Sequence, residues 1–171
     1  MRVFLDFEAS SLGDDSYPIE VGWVFEDGEE ENMLIRPAPG WTDWDEEAES
    51  LHGISRQRLA ADGIAHAEVC DRVVALFDNH EVYASAPSWD GHWLSMLLRA
   101  ADRPRHLLRL ADTEEAFEEA ARQRLGPDAG DEAVAEAIAA ARAVADTAPV
   151  AHRAVADARR EWRVWQRILK G

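Results

Sequence analysis

The sequence has 171 residues, of which 47% are apolar and 30% charged, a composition typical of one globular domain. Its formal net charge of −16 argues against a protein that coats nucleic acid, because such binding requires a basic surface. The charge leaves open an enzyme that engages only a chain end through bound metal ions. The single cysteine, Cys70, cannot form an internal disulfide, and no stretch has the pattern of a signal peptide or the length of a membrane span. We therefore expect a cytoplasmic protein without membrane association.

The first third of the chain predicts strands. Residues 2–8 form an apolar run, and apolar residues alternate with others from Ile19 to Phe25. Asp27-Gly28 marks a turn, after which residues 33–35 predict a returning strand. The pattern indicates a three-stranded antiparallel start, followed by a loop over residues 37–50 that is rich in proline, glycine and tryptophan.

Helices and strands alternate in the remainder. Apolar residues at helical spacing predict a helix in 66–80 and another in 89–101, while "EVYAS" (81–85) and "HLLRLAD" (106–112) predict short strands. The rest is predicted to be helical, including an alanine-rich segment at 131–143, with a break from Gly126 to Gly130. The expected fold is α/β, with a mixed sheet of about five strands, flanking helices and one domain over residues 1–171.

Two carboxylates interrupt the first strand. Asp6 and Glu8 are two residues apart, so the alternation of a strand places both side chains on one face. Neighbouring anions repel each other, and partial burial makes their ionisation still more costly unless a cation or hydrogen-bond donors compensate it. The pair therefore indicates a site that receives positive charge.

Three further residues, distant in sequence, are candidates for the same site. Asp90 opens a predicted helix, where its carboxylate could simply interact with the helix N-terminus. Asp157 lies beside the apolar stripe of the last helix, although exposed helical aspartates are common. His152 would lie about 140° from Asp157 around an ideal helix, so both can face one site only if His152 precedes the helix or is in its first turn. Pro149 permits this arrangement, and a purely structural His152 is the alternative.

Taken in order, these residues resemble the DEDDh subgroup of the DnaQ-like 3′-to-5′ exonucleases, which have a ribonuclease H-like fold. "DFEAS" (6–10) is similar to the first motif of that family, "SAPSWD" (85–90) to the second and "HRAVAD" (152–157) to the third. "YPIEVGWV" (17–24) is similar to its second strand, and "LHGIS" (51–55) to the segment after its third strand.

Two departures from the family pattern concern the substrate. The family commonly has an asparagine four residues before the aspartate of the second motif and a phenylalanine just before it, whereas this chain has Ala86 and Trp89. The first motif usually contains a glycine where this chain has Ser11, while the following Leu12 is kept. All the metal-binding carboxylates are present, so the departures affect the expected fit of the terminal nucleotide and not the expected chemistry.

The resemblance implies a site with two Mg²⁺ or Mn²⁺ ions. Asp6 would bridge both ions, Glu8 and Asp157 would hold the ion that carries the attacking water, and Asp90 would hold the other. His152 would be the general base. Ser10, Leu12 and Trp89 are the expected substrate contacts; Trp41 or Trp44 could stack on a base, but core packing or a partner interface is an equal alternative for both tryptophans.

The implied function is metal-dependent hydrolysis of single-stranded DNA or RNA, or of short oligonucleotides, from the 3′ end, with release of nucleoside 5′-monophosphates. One alternative is a nucleic-acid or nucleotide binding module that keeps this fold without turnover. Another is an acidic protein-interaction domain unrelated to nucleic acid. The sequence leaves open the preference for DNA or RNA and the oligomeric state, a homodimer included.

Overall fold

The computed structural model describes residues 1–78, 80–145 and 152–171, which form a mixed six-stranded sheet with helices on both faces. The strands are β1 (Arg2–Ala9), β2 (Pro18–Phe25), β3 (Glu30–Arg36), β4 (Ile64–Ala65), β5 (Glu81–Ala84) and β6 (Ala111–Asp112). The helices are α1 (Glu46–His52), α2 (Arg56–Asp62), α3 (His66–Phe77), α4 (Pro87–Ala100), α5 (Thr113–Leu125), α6 (Asp131–Ala145) and α7 (Ala154–Lys170).

The strand order is β4-β3-β2-β1-β5-β6. Strands β1, β2 and β3 form the predicted antiparallel start, β5 runs parallel to β1, and β6 runs parallel to β5. The expected α/β class with a mixed sheet is confirmed. The sheet has one strand more than the five or so expected, since β4 is a two-residue edge strand beside β3.

Some segments differ from the predictions. The predicted loop over 37–50 ends at Asp45, whose side chain caps α1, and Ser55 caps a second short helix, α2, that was not predicted. The strand predicted over 106–112 is wrong for its first five residues, because only Ala111 and Asp112 pair with β5. Strand β5 is itself only four residues long and offers few backbone groups for pairing.

The two faces of β1 pack against different layers. Val3, Leu5 and Phe7 are buried in one core cluster, to which α3 and α4 contribute Val69, Val73, Leu94 and Leu97. Phe4 is buried in the other cluster, where its ring lies 5.8 Å from that of Trp165 on α7. Because side chains alternate along a strand, Asp6 and Glu8 lie on the same face as Phe4 and are directed toward α7. None of the helices within the described residues has both the length and the apolar character needed to cross a membrane.

Candidate active site

Asp6, Glu8 and Asp157 meet where the N-terminal turn of α7 lies on β1. Each offers a carboxylate oxygen, and these oxygens all lie within 4.8 Å of one another. All three side chains are partly buried. Their proximity requires α7 to approach the sheet closely, and two residues of β2 explain how it does so.

Gly22 provides the room for this approach. It pairs with Asp6 across the two strands, and a Cβ atom at Gly22 would lie 2.3 Å from the backbone nitrogen of Val155. No side chain fits at that distance, so a residue larger than glycine would displace the first turn of α7. The absence of a side chain at Gly22 thus allows Asp157 to reach Asp6.

Glu20 attaches α7 to the sheet. Its carboxylate is fully buried and accepts hydrogen bonds from the Arg153 guanidinium at 2.5–3.2 Å, from the Ala154 backbone N–H at 3.1 Å and from Asn32 Nδ2 at 2.9 Å. These donors lower the pKa of Glu20 although burial alone would raise it. An ionised carboxylate at the N-terminus of α7 also interacts favourably with the helix dipole. The ionised Glu20 carboxylate, which is compensated by Arg153 and by backbone and amide donors, therefore holds the first turn of α7, with Asp157, against the sheet.

Asp90 reaches the site from the first turn of α4 and is 1% exposed. Pairing between β1 and β5 stops at Phe4, so the backbone N–H of Phe7 is available and donates to Asp90 Oδ1 at 3.2 Å. Asp90 Oδ2 is buried and has no hydrogen-bond partner among the described residues. The position of Asp90 at a helix N-terminus agrees with the predicted interaction between its carboxylate and the helix N-terminus. That interaction alone leaves Oδ2 without a hydrogen bond.

The site carboxylates are poorly compensated by the protein. Burial, and then the negative charges of Asp90 and Glu8, raise the pKa of Asp6 well above its usual range. Burial together with Asp157 and Glu20 raises the pKa of Glu8 to about 8. Burial outweighs the backbone hydrogen bonds of Asp90 and raises its pKa to about 7. The pKa of Asp157 is raised as well, mainly by burial.

His152 precedes α7 and has a left-handed backbone conformation, with φ of 43°. This conformation is uncommon for residues other than glycine, and its position before the helix removes the 140° separation expected on an ideal helix. His152 is partly buried and lies close enough to Asp157 to lower the pKa of that carboxylate. Pro149, which was expected to keep the preceding backbone out of a helix, lies outside the described residues.

The predicted substrate contacts have different surroundings. Leu12 is 72% exposed, and Trp89 is 40% exposed with its ring 5.7 Å from that of Trp93. Ser10 is fully buried; its hydroxyl donates to Asp43 and accepts from the Tyr17 N–H, and its backbone groups bond to Tyr17 and Asp45. Ser10 thus holds together the loops beside the site, and a contact between Ser10 and a nucleotide stays a prediction.

Trp41 and Trp44 both have packing partners. The ring of Trp41 stacks on Tyr17 with centroids 5.1 Å apart. Trp44 donates to Glu49 and lies under the Arg56 guanidinium at 5.0 Å. These contacts favour the core-packing alternative for both tryptophans over base stacking.

Three residues beside the site, Glu20, Arg153 and His52, were not predicted from the sequence. His52 belongs to "LHGIS" and is buried, and burial lowers its pKa. Its Nδ1 accepts a hydrogen bond from the Ile54 N–H, while Nε2 has no partner within residues 1–78, 80–145 and 152–171. A charged residue within the otherwise apolar "PIEVGWV" was the available signal for Glu20. Its partner could not be identified, because Arg153 is 133 residues away in the sequence.

No protein-family model and no curated protein matches the sequence. Solved structures do match. The zinc-bound complex of Escherichia coli exonuclease I with single-stranded DNA has a TM-score of 0.64 at 16% identity, over 94% of this chain and 38% of that one. A moderately thermophilic exonuclease I from Methylocaldum szegediense has a TM-score of 0.66 at 20% identity, over 98% of this chain and 40% of that one.

A second E. coli exonuclease I structure, in complex with a dT13 oligonucleotide, has a TM-score of 0.55 at 17% identity, over 77% of this chain and 33% of that one. This chain thus spans about two fifths or less of the length of the exonuclease I chains to which it is similar. The similarity shows that this chain has the fold of exonuclease I, the ribonuclease H-like fold that the sequence motifs implied.

Proposed function

We propose that this protein is a divalent-metal-dependent 3′-to-5′ exonuclease of the DEDDh type, acting on single-stranded nucleic acid and releasing nucleoside 5′-monophosphates. One observation carries the proposal: Asp6, Glu8 and Asp157 lie within 4.8 Å of one another, with no protein cation hydrogen-bonded to any of the three among the described residues. Similarity in fold to exonuclease I bound to single-stranded DNA supports the choice of substrate class.

The residues fit two Mg²⁺ or Mn²⁺ ions. All the ligand atoms are carboxylate oxygens, which these ions prefer, and Asp90 Oδ2 is buried with no hydrogen-bond partner in the part of the chain that the structure describes. Asp6, Glu8, Asp90 and Asp157 would hold the ions. When bound, the ions supply the positive charge that activates the attacking water and stabilises the leaving oxygen of the phosphodiester.

The protein's own groups have distinct tasks in this reaction. His152, partly buried beside Asp157, accepts the proton of the attacking water as the general base. Leu12 and Trp89 present exposed apolar surface to the terminal nucleotide, where an aromatic ring can stack on a base. Glu20 and Arg153 keep Asp157 and His152 in register with β1.

End-labelled oligonucleotides test the reaction. A single strand with a 5′ label should give a ladder that shortens one nucleotide at a time in Mn²⁺, and a nuclease-resistant 3′-terminal linkage should abolish the ladder. Activity that persists in a chelator, or degradation that continues when the 3′ end is blocked and stops when the 5′ end is blocked, would overturn the proposal.

The role of His152 requires a separate test. His152→Ala should reduce single-turnover cleavage by about 10²–10⁴-fold while Mn²⁺ affinity stays nearly unchanged, because a general base does not hold the ions. Asp157→Ala should lose both activity and Mn²⁺ affinity. If His152→Ala loses Mn²⁺ as Asp157→Ala does, His152 is a ligand or a structural support, and the base is another group.

The alternative of a binding module without turnover has a specific observation in its favour. Ala86, at the start of α4, replaces the asparagine common in the family, and its side chain makes no hydrogen bond. The alternative predicts binding of single strands in Mn²⁺ without any shortening in the end-labelling experiment.

A further inference from the structure

A basic groove runs along α4 on one side of the proposed site. It has a volume of about 510 Å³ and lies between the first half of α4 and the segment 101–110 that leads to β6. Four of the residues lining it carry nitrogen donors: His92, Arg105, His106 and Arg109. We call these four residues the α4 basic groove. None of the described residues that line it is an aspartate or glutamate, although the chain has 34 of them.

The groove begins at the first turns of α4, the helix that carries Asp90. Pro87 and Gly91 line it, and Gly91 directly follows Asp90 in the first turns of α4. The lining continues along the helix to Ser95, which is about 8 Å from Asp90 at the usual helical rise. A polymer whose last linkage lies at Asp90 could therefore extend into the groove within a few nucleotides.

The described residues pair no carboxylate with the groove arginines. Arg109 has no ion-pair partner among the described residues, and Arg105 donates to His106 Nε2 at 2.7 Å and to no carboxylate in the same part of the chain. Arg103, in the same segment, differs because it forms an ion pair with Asp71 at 2.7 Å. The two groove arginines are both exposed.

A second groove along α4, of about 490 Å³, provides a comparison, and its lining includes Asp14 and Asp15 beside Arg99. Two carboxylates in that groove repel phosphate, whereas the α4 basic groove attracts it. His92 lines both grooves, and its ring lies 6.3 Å from that of Trp89.

We infer that the α4 basic groove binds the sugar–phosphate backbone of the single strand on the 5′ side of the terminal nucleotide, through Arg105 and Arg109. This inference rests on the proposed exonuclease function, which provides the single-stranded substrate. It explains how a chain of net charge −16 holds a polyanion: acid-free cationic surface is placed where the strand leaves the site. DNA and RNA have the same negatively charged phosphodiester groups, so the groove arginines would bind the backbone of either.

The test compares two substrates in one double variant, Arg105→Gln with Arg109→Gln. A single-stranded oligonucleotide reaches the groove, whereas a mononucleotide p-nitrophenyl ester has no upstream phosphates and does not. The KM for DNA and RNA oligonucleotides should rise by about tenfold, with kcat and the hydrolysis of the ester within about twofold of wild type. The salt dependence of oligonucleotide binding, as the slope of log K against log salt, should become shallower by about 1 to 1.5, the value for two lost phosphate contacts on a single strand.

The matched control is Arg36→Gln, which removes another exposed arginine at the end of β3, away from α4. It should change neither the KM nor the salt slope. An unchanged KM and slope in the double variant, or an equal loss on the mononucleotide ester, would overturn the inference. A rise in KM for RNA alone or for DNA alone would overturn the claim that the shared backbone is recognised.

Binding without turnover separates this inference from the proposed function. Fluorescence anisotropy of a labelled oligonucleotide in a chelator needs no reaction. If the wild type degrades neither substrate, and the double variant binds the oligonucleotide more weakly than the wild type does, the groove is supported and the exonuclease proposal is overturned. If the wild type is active and its oligonucleotide affinity is the same in the double variant, the groove is overturned and the exonuclease proposal stands.

Discussion

Glu8 and Glu20 are opposite each other on neighbouring strands, but the protein surrounds them in different ways. Glu20 is fully buried and accepts hydrogen bonds from Arg153, Ala154 and Asn32, and its pKa is lowered. Glu8 has no hydrogen-bond donor among the described residues, and its pKa is raised to about 8. Burial alone therefore does not distinguish a carboxylate with a structural role from one that is available to a metal ion, as we propose for Glu8; the presence or absence of an internal partner does.

This difference has a physical basis in the cost of desolvation. A buried anion is unfavourable unless donors or a cation replace the water it has lost. The protein supplies both for Glu20. Among the described residues no cation is hydrogen-bonded to the side chain of Asp6 or Glu8, and His152 and Arg160 lower the pKa of Asp157 without outweighing its burial. Folding thus holds three carboxylates together at a cost, which an external divalent cation can offset.

The largest expected effect comes from neutralising the group at the centre of the uncompensated cluster. Asp6→Asn should reduce exonuclease activity by about 10³-fold or more, because it removes a ligand to the ions that stabilise the transition state. Its metal-free melting temperature should stay the same or rise, since the substitution removes repulsion with Asp90 and Glu8.

The control for this substitution is Asp62→Asn, which changes an exposed aspartate at the end of α2. It should leave both activity and melting temperature near wild type. A large fall in the metal-free melting temperature of Asp6→Asn would instead give Asp6 a structural hydrogen-bonding role.

The second prediction compares the substitution of glutamine for glutamate at position 20 with the same substitution at position 8. Glu20→Gln should lower the free energy of unfolding by about 2–3 kcal/mol, at or slightly below the range typical of a broken buried ion pair, because Arg153 keeps partial contact with water. Glu8→Gln should be neutral or stabilising without metal. Denaturant unfolding of both variants in a chelator measures the two values, and equal destabilisation would show that Glu8 also has a structural partner.

How much of this could be predicted from the sequence differs between the two glutamates. Alternation along β1 was enough to place Asp6 and Glu8 on one face, and the spacing of the motifs indicated Asp90, His152 and Asp157. Glu20 lies in a strand with the same kind of pattern, yet nothing local identifies its partner, since the Arg153 contact arises only when α7 packs on β2.

Other features were unpredictable for similar reasons. The close approach of α7 to the sheet depends on Gly22. In the sequence, a glycine within a strand indicates only a locally weaker strand, and its role becomes visible once the position of α7 is known. Helices α1 and α2 are seven residues each and have too few apolar positions for a periodic signal, although their caps, Asp45 and Ser55, were visible. The short strand β6 exists only because β5 offers it a partner.

The third prediction is smaller and concerns pH. The folded pKa values of Glu8 and Asp90, about 8 and about 7, lie above those of the unfolded chain, so the folded state binds more protons in this interval. The metal-free protein should therefore become less stable as the pH rises from about 5 to about 8, by about 1–2 kcal/mol after solvent screening is taken into account.

Saturating Mn²⁺ should remove this destabilisation, because bound ions favour the ionised carboxylates. Melting temperatures across this pH range, with Mn²⁺ and with chelator, provide the measurement. Metal-free stability that rises toward pH 8 would contradict the raised pKa values.

Calorimetric titration of Mn²⁺ into the metal-free protein tests the central claim most directly. Performed at about pH 7 in two buffers of different ionisation enthalpy, it counts the protons released on binding. Because Glu8 and Asp90 are partly protonated at this pH, binding should release protons, and Asp6→Asn should lose most of the binding. The absence of Mn²⁺ binding, or binding that releases no protons and survives in Asp6→Asn, would contradict the assignment of these carboxylates to a metal site.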